Sequence, residues 1–569
     1  MAPGTYRLAA TVTIGGARSV TLHGAGWRTV LLHTGAGPAV AVNGSAGVRV
    51  EEMTILTAAV APERAVEGGL AAATGMGVLV RNSAGVTVQR CVVLQIGRGR
   101  GQDTAGAPAG PLGFLGSGGR RSRSPRFAVE CFLRENALAG GAGIVVVASG
   151  GQKISGLEVT AGFRAAAVAN LFIEDNLILA AALGVAIDGL VLSLLETRIA
   201  GNTLLYCRSA GVLARGRTMA GASPSHVAVR HNTVWAAGNG IVVGSDAATV
   251  EGNEVAGAGR ENAGAGDGIA LVPTELTGEM ERVRIAGNRV ARVGGIGIAL
   301  RGRIASAIVT GNVVERAGGG IVMTDGSDAG DLTVEGNSIS DVGADAGQGA
   351  FVSGIRAVVA EQVRIAGNTV RGVGRGALAT TGRTGIHVVG SSSVAVSGND
   401  VSDIGPTDKF RRDRGGRTIP ARRHRRQHGQ AHPRGRRTRH LGVVGIRVRP
   451  APRPGTGRVI GTVAYVAVKA AVFLVAPERI VRLPRGRETV GVRGNLAEAF
   501  GLSPAVEVAV AGSCTLSDNR CLLASEKAQA VVRVAGGAAI AGGNYVEGPG
   551  RSRPSSSRFP PGRSRSWAT

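Results

Sequence analysis

Apolar and polar residues alternate along this chain in a short phrase that recurs many times. In the run VRIAGNRV, which ends at Val290, apolar residues lie five and three positions before the asparagine, with an arginine between them. This period of two is typical of a β-strand with one buried face. The phrase passes through Gly-Asn, resumes with an apolar residue and, after a loop, reaches a Gly-Ile pair. Its asparagines are Asn176, Asn202, Asn232, Asn253, Asn288, Asn312, Asn337, Asn368 and Asn399.

The spacing between these asparagines varies from 21 to 35 residues, whereas the phrase itself changes little. A constant phrase with a variable period predicts one structural coil per repeat, with insertions in one loop. A coil of this length is too short for a helical crossover. Consecutive coils should therefore stack through parallel strands about 4.8 Å apart.

The repeated asparagines have a structural explanation. Asparagine tolerates left-handed backbone geometry and can hydrogen-bond to neighbouring main chain, and the preceding glycine supplies a second unusual backbone angle. We predict that one asparagine from every coil lies at the same corner. Their side chains would then stack as a ladder, each amide bonding to the next coil.

The Gly-Asn phrase and its spacing resemble those of right-handed parallel β-helix repeat proteins, the pectate-lyase-like superfold. The resemblance implies an all-β fold, a single-stranded right-handed parallel β-helix (solenoid). It also implies that an active site, if present, lies on the sheet that follows the variable loop. Because this fold carries lyases, hydrolases, epimerases and tailspikes, the resemblance predicts the fold and leaves the function open.

The phrase divides the chain into five segments. We predict irregular coils at 1–135 with a low-complexity insert at 98–126, regular repeats at 136–405, an Arg-rich segment at 406–441, further coils at 442–550 and a disordered tail at 551–569. The phrase returns at Asn495, Asn519 and Asn544. The 96 residues between Asn399 and Asn495 equal four coils of 24. This spacing predicts one continuous solenoid that contains a stretch of altered sequence.

The Arg-rich segment 406–441 has three interpretations. It is a solvated, disordered basic loop, an arm for an anionic polymer, or sequence read in a shifted frame of a GC-rich gene. Most of the net charge of +26 lies in this segment and in 98–126 and 551–569. The repeat body is nearly neutral, so binding of nucleic acid is not expected there.

Other sequence features leave the compartment open. The five cysteines are an odd number without metal-site spacing, and buried thiols are the expected outcome. We see no signal peptide, and the longest apolar stretch, Val463–Val475, is too short to span a bilayer, which needs about 20 residues. Only the resemblance suggests an extracellular or surface location.

The strand that carries the Gly-Ile pair is the expected place for chemistry. With isoleucine pointing inward, the outward residues are mostly small or apolar, for example Val242, Ala270, Ala299 and Val322. A polysaccharide-cleaving groove needs several carboxylates and bases instead. This face is therefore predicted to pack against a loop, a second chain or an assembly partner.

One polar cluster lies near the edge of this face. The loop TDGSDAGDL carries three aspartates, and arginines lie one coil before and one coil after it: the set is Asp325, Asp328, Asp331, Arg301, Arg303 and Arg356. Such carboxylates are calcium ligands, and a lyase-like site uses an acid-bound cation with an Arg or His base. The catalytic candidates are thus Asp325, Asp328, Arg356 and His387, and the metal candidates are Asp325, Asp328 and Asp331. The alternative is an exposed Asp-Gly turn and a surface histidine.

Three functions follow. The first is a β-helix scaffold that binds glycans or forms part of an assembly, favoured because the paired aspartates and Gly-His-Gly of polygalacturonases and the Asp-Pro-His of alginate epimerases are missing. Asp267, in GDGIAL, is a weak Gly-Asp-Gly signal. The second is a carbohydrate-active lyase or hydrolase, with calcium as the one candidate cofactor. The third is an anionic-polymer binder that uses the Arg-rich segment. The expected partners are a polysaccharide and, through the apolar sheet, another copy of the chain.

Overall fold

The computed structural model covers the whole chain and describes part of it in detail. The described residues are 1–35, 38–58, 77–81, 83–96, 112–117, 127–139, 144–149, 167–179, 183–189, 193–194, 196–215, 226–236, 238–259, 266–273, 279–343, 351–375, 382–405, 443–449, 489–499, 506–509, 513–523, 532–535, 538–548, 551–559 and 565–566.

Each coil contributes one strand to each of three sheets that run along the molecule, and neighbouring coils pair in parallel. Sheet 1 precedes the asparagine corner. Its strands are Thr21–His23, Arg49–Glu51, Thr87–Gln89, Phe127–Arg134, Ala167–Glu174, Ser193–Leu194, Thr197–Ala200, Val227–Arg230, Thr249–Glu251, Val283–Ala286, Arg303–Thr310, Asp328–Glu335, Ala360–Ala366, Ser393–Ser397, Thr489–Arg493 and Ser513–Ser517.

Sheet 2 begins directly after the asparagine. Its strands are Gly4–Leu8, Thr29–His33, Thr54–Ala58, Val92–Ile96, Ala137–Ala139, Leu177–Leu179, Thr203–Cys207, Thr233–Ala236, Glu254–Ala256, Ser338–Ser340, Thr369–Arg371, Asp400–Ser402, Leu496–Ala499 and Arg520–Leu523. Two long strands, Arg289–Leu300 and Val313–Met323, continue from sheet 2 into sheet 3.

Sheet 3 carries the Gly-Ile pairs. Its strands are Val12–Gly15, Val40–Asn43, Val78–Arg81, Leu112–Ser117, Ile144–Ser149, Leu183–Gly189, Ala210–Arg215, Asn239–Gly244, Ile269–Leu271, Phe351–Val358, Gly382–Val389, Val443–Arg449, Val506–Ala509 and Val532–Ala535. Among the described residues the one helical element is a short 3₁₀ turn, Gly26–Arg28. The prediction of an all-β, right-handed parallel β-helix is confirmed.

The core fills the space between the three sheets. The residues five and three positions before each asparagine are buried, as Val283 and Ile285 illustrate, and so is the isoleucine of each Gly-Ile pair. One continuous cluster of Val, Ile, Leu and Ala extends through the coils. The small apolar side chains suit this narrow interior, since each coil supplies only a few core positions.

The predicted asparagine ladder is present. The Nδ2 of each member donates to the Oδ1 of the asparagine in the next coil, at 2.8–3.0 Å, and the backbone N–H of the same residue donates to that oxygen too. The Nδ2 group also donates its other hydrogen to a carbonyl oxygen of the preceding coil, as from Asn312 to Ile285. The members are Asn136, Asn176, Asn202, Asn232, Asn253, Asn288, Asn312, Asn337, Asn368, Asn399, Asn495 and Asn519.

The backbone at this corner differs from the prediction in one respect. The left-handed residue is the one before each ladder asparagine, a glycine in most coils and Glu135, Asp175, His231 or Asp518 in the others. The ladder asparagines themselves do not have positive φ. A second left-handed residue lies four positions after the asparagine, for example Arg292. The asparagine therefore supplies the amide, and its neighbour supplies the turn.

The coil that follows Asn399 corrects the four-coil reading of the sequence. Asn399 donates directly to Asn495 at 2.9 Å, and the strands Ser393–Ser397 and Thr489–Arg493 pair with each other. In sheet 3 the same coil supplies Val443–Arg449, which pairs with Gly382–Val389. The described residues between the two asparagines thus belong to one coil. Residues 406–441, and the insert 98–126 except Leu112–Ser117, lie outside the described residues.

Two further details differ from the sequence-based expectations. Insertions occur in two loops of the coil, before sheet 3, as between Ser340 and Phe351, and after it, as between Arg215 and Val227. The tail 551–569, expected to be disordered, contains the strand Arg551–Phe559, which runs antiparallel to Ala538–Gly548. No helix in the described part of the chain is long and apolar enough to cross a membrane.

Candidate functional site

The outer face of sheet 3 is apolar in its middle part, around Val242, and that part is covered. Val242, Ala270 and Ala299 form a buried cluster on this face, with Leu213 and Ile296 packed against it. The prediction of a packing surface agrees with this burial. These side chains are covered within one chain, and the binding of another copy through this sheet stays a prediction.

A buried carboxylate marks the start of this face. Asp267 accepts hydrogen bonds from the backbone N–H of Ile296 at 2.9 Å and from the guanidinium of Arg301, while its own N–H donates to Asn239. Register pairs Ala270 with Ala299, so the Arg301 side chain reaches back along the face that holds these alanines. The Asp267 carboxylate thus joins its own coil to the next one.

Three of the four predicted catalytic residues come together further along the same face. Arg356 and His387 are register partners in adjacent coils, and Arg356 Nη2 lies 2.5 Å from Asp325 Oδ1 in the preceding coil. The ring of Phe351 links them, since its centroid lies 4.8 Å from that of His387 and 5.6 Å from the Arg356 guanidinium carbon. We call Asp325, Phe351, Arg356 and His387 the sheet 3 cluster.

The remaining predicted residues lie elsewhere. Asp328 starts a strand of sheet 1 and accepts a hydrogen bond from Arg303 at 3.3 Å, and Asp331 is exposed on the same strand. The three aspartates therefore do not converge on one point. No group of three or more His, Cys, Asp or Glu side chains that could hold a metal is found in the described part of the chain.

The members of the sheet 3 cluster differ in how far their side chains are exposed to solvent. The Asp325 side chain is 80% exposed and that of Arg356 only 19%. His387 is 8% exposed, whereas Phe351 is 38% exposed. An approaching ligand would therefore meet the aromatic ring and the carboxylate first. The imidazole is not open to a substrate carbon in this arrangement.

Sequence reasoning missed Phe351, which connects the cluster. Phe351 is the first residue of a sheet 3 strand, so the alternation of apolar and polar residues does not mark it. In a chain with only 3% aromatic residues, an aromatic residue beside a predicted site was the available clue. Register was the information that sequence lacked, because the pairing of Arg356 with His387 depends on how coils of unequal length stack.

The two strands that carry Phe351, Arg356 and His387 also bury a cation and two hydroxyl groups. Arg383 is 2% exposed, and this burial lowers the pKa of its guanidinium. Ser353 and Thr384 are register partners and are buried, and among the described residues their hydroxyl oxygens have no hydrogen-bond partner. These groups add polarity behind the cluster, in contrast to the aliphatic interior of the other coils.

Three cysteines offer no reactive thiolate. Cys91, Cys207 and Cys514 are buried, free thiols, and burial raises the pKa of each to about 12. Their side chains therefore stay neutral at physiological pH. This agrees with the expectation of buried thiols for these three positions.

Comparison with known proteins supports the fold. Residues 219–401, which include the whole sheet 3 cluster, match the family model described as the right handed beta helix region. This match, over about a third of the chain, agrees with the right-handed parallel β-helix fold. No curated protein matches the chain.

Solved structures resemble the chain only distantly. The A-module of mannuronan C-5 epimerase AlgE6 from Azotobacter vinelandii is 14% identical, covers 71% of this chain and 86% of its own, and has a TM-score of 0.34. The periplasmic alginate epimerase AlgG is 13% identical over 67% of this chain and 72% of its own, with a TM-score of 0.32. The catalytic domain of a GH87 alpha-1,3-glucanase is 12% identical over 70% and 64%, with a TM-score of 0.29.

Proposed function

We propose that this β-helix is a scaffold that binds a glycan on the outer face of sheet 3, through the sheet 3 cluster. The observation that carries the proposal is the partly exposed Phe351 ring, which contacts both Arg356 and His387. An aromatic face beside a cation and hydrogen-bonding groups is a common composition for a ligand site, because the ring supplies contact area and the polar groups set orientation.

The charge of the cluster favours an acidic glycan. Arg356 is held by the sheet, whereas its partner Asp325 projects into solvent. An ion pair with one fully hydrated member contributes about 0–1 kcal/mol, so a ligand carboxylate can replace Asp325 at little cost. A guanidinium binds a carboxylate through two parallel hydrogen bonds, which favours a hexuronate over a neutral sugar.

The same geometry favours binding over cleavage. A general base must lie within hydrogen-bond reach of the proton that it removes, and His387 is largely covered. The Arg356 guanidinium forms an ion pair with the Asp325 carboxylate, and this pairing opposes the use of Arg356 as a base. Asp328, the fourth candidate, belongs to sheet 1 and interacts with Arg303.

Binding of polygalacturonate tests the proposal. Arg356→Ala should weaken binding by about tenfold or more, since a hydrogen bond to a charged group contributes about 1.5–3 kcal/mol. Asp325→Asn should strengthen it by about two- to fivefold, because it removes the competing carboxylate. Isothermal titration calorimetry measures both changes.

Asp328→Asn is the matched control, because it removes the same charge from the same loop region on a different sheet. It should leave the dissociation constant unchanged. If Asp325→Asn and Asp328→Asn alter binding equally, the effect is one of net charge, and the sheet 3 cluster is not the site.

A lyase or hydrolase is the second candidate, because Asp325, Arg356 and His387 do share one face. Polyuronates and neutral polysaccharides would be incubated with the protein, with and without calcium, while reducing ends and unsaturated products are measured. Cleavage that disappears in His387→Ala would support the enzyme. Cleavage that survives both His387→Ala and Arg356→Ala would exclude this cluster as its active site.

A further inference from the structure

An exposed pair of aromatic side chains lies on sheet 2, away from the sheet 3 cluster. Tyr206 is 64% exposed and Trp235 is 50% exposed, and they belong to adjacent coils. Their ring centroids are 5.9 Å apart and their planes differ by 27°. Burying such rings is strongly favourable, so leaving two of them side by side in water requires an explanation.

The backbone at Tyr206 is unusual for a large side chain. Leu205 pairs with Trp235 and Cys207 pairs with Ala236, so Tyr206 is the extra residue of a β-bulge. Its φ is 59°, the left-handed conformation that the fourth residue after the ladder asparagine also has in other coils, such as Arg292, although a bulky aromatic residue seldom occupies it. Bulges redirect side chains and are frequent beside functional sites. Here the bulge sends the Tyr206 ring to the surface next to Trp235.

The neighbouring coil leaves room for the indole ring. A Cβ atom added to Gly257 would lie 2.6 Å from Trp235 Nε1 and 2.7 Å from Cδ1, so this edge of the ring is directed at the glycine. The indole therefore extends along the axis of the helix towards the next coil. Together the two rings form a strip that follows the stacking direction of the coils.

The residues around the strip carry little net charge. Thr203 and Thr233 lie two positions before Leu205 and Trp235, on the same side of their strands, and offer hydroxyl groups. Arg208, two residues after Tyr206, and Glu254, the register partner of Thr233, are exposed and have opposite signs. Flat rings flanked by hydroxyl groups match the apolar face and the hydroxyl rim of a pyranose.

We infer that Tyr206 and Trp235 form a second binding site, which takes a neutral polysaccharide with its chain along the helix axis and one sugar ring over each aromatic ring. This extends the proposed glycan binding to a different sheet and a different ligand charge. The two sites share no residue, so either can fail without the other.

The test uses the full chain with cellohexaose, mannohexaose and xylohexaose as probes. At least one should bind, shift the tryptophan fluorescence and lose about tenfold or more in affinity in Trp235→Ala and in Tyr206→Ala. Trp27→Ala is the matched control, since Trp27 is also exposed, at 76%, but has no aromatic neighbour among the described residues. It should leave binding unchanged.

A second variant separates binding from folding. Tyr206→Gly relieves the left-handed backbone, so it should raise the midpoint of thermal unfolding while it weakens binding of the same probe. Failure of all three probes to bind, or binding that Trp235→Ala leaves intact, would overturn the inference. So would a dimer that Trp235→Ala converts to a monomer, because the strip would then be a contact with a second copy.

Discussion

At the residue scale, the ladder asparagine is the most constrained side chain in each coil. The amide of Asn312 has all its hydrogen-bonding groups in use: its Oδ1 accepts from the N–H and the Nδ2 of Asn288, and its Nδ2 donates to Ile285 and Asn337. Because the amide is buried, each partner that loses it is left without water as a substitute. An amide provides two donor hydrogens and an acceptor oxygen, whereas a hydroxyl group donates only one hydrogen bond.

Asn312→Ala should therefore destabilise the protein by at least about 3 kcal/mol, since several buried groups lose their partners at once. The change is measured by urea denaturation followed by circular dichroism. Ser338→Ala, an exposed position in the adjacent phrase, is the control and should cost about 0.5 kcal/mol or less. A loss for Asn312→Ala as small as for Ser338→Ala would show that the ladder contributes no stability.

The early coils show what replaces the asparagine at the end of the ladder. The N–H of Cys91 donates to Asn136, and the Cys91 Sγ lies 3.6 Å from the carbonyl of Val50, the position that an Nδ2 group contacts in later coils. The buried Met53 precedes Cys91 at the corresponding position of its own coil. Before Asn136, apolar side chains therefore replace the asparagines of the ladder. These side chains need no hydrogen-bond partner in the preceding coil.

At the element scale, the Gly-Ile strand owes its glycine to close packing. A Cβ added to Gly297 would lie 2.3 Å from Cγ1 of Val314, a core residue of sheet 2, and 3.2 Å from the carbonyl oxygen of Gly320 in the next coil. Gly268 and Gly354 meet equivalent valines at 2.3 Å. The glycine of this pair is thus set by the contact between sheets 2 and 3, and the isoleucine fills the core beside it.

Gly297→Ala should destabilise the protein by about 1–3 kcal/mol, the usual cost of an extra methyl group in a packed interior. Thermal unfolding would show this as a lower midpoint. Gly491→Ala is the control, because a Cβ at that strand position has only one neighbour within 4 Å, at 3.9 Å. Equal effects of the two substitutions would contradict the packing explanation.

At the scale of the whole molecule, the stacking of coils does not depend on the length of the loops. The Asn399 coil lies directly on the Asn495 coil although 96 residues separate the two asparagines. Between them only Val443–Arg449 of the described residues contributes a strand to sheet 3. Loop length enters the free energy only logarithmically, so a solenoid tolerates a long addition in one coil.

Replacing 406–442 with a linker of about eight residues should therefore preserve the β-helix, and should raise its stability by about 1 kcal/mol through the smaller loop-closure entropy. Circular dichroism and the unfolding midpoint measure this. Removing Val443–Arg449 instead deletes a strand between Gly382–Val389 and Val506–Ala509, and should lower the midpoint. If the linker variant unfolds as readily as that control, the described coil requires the Arg-rich segment.

The linker variant also decides the third function. If the Arg-rich segment binds an anionic polymer, salt-sensitive binding to heparin should disappear in this variant. Heparin binding that persists would remove that function. The segment lies outside the described residues, so the hypothesis still rests on its sequence alone.

The sequence by itself determined the coil, the parallel stacking of its strands, the direction of its core residues and the asparagine corner. Each of these depends on contacts that recur at the same offset within a short phrase, such as the buried Val283 and Ile285 before Asn288. Local alternation and a repeated side chain are visible without knowledge of which coil lies beside which. The same logic placed Asp325, Arg356 and His387 on one face.

Only the tertiary structure decided what lies next to what between coils of unequal length. It joined Asn399 to Asn495 in consecutive coils, moved Asp328 to sheet 1, placed the Phe351 ring between Arg356 and His387, and brought Tyr206 beside Trp235. The physical reason is register. Side chains from different coils meet only after the loops have closed, and a bulge or insertion of one residue changes the partner without changing the phrase.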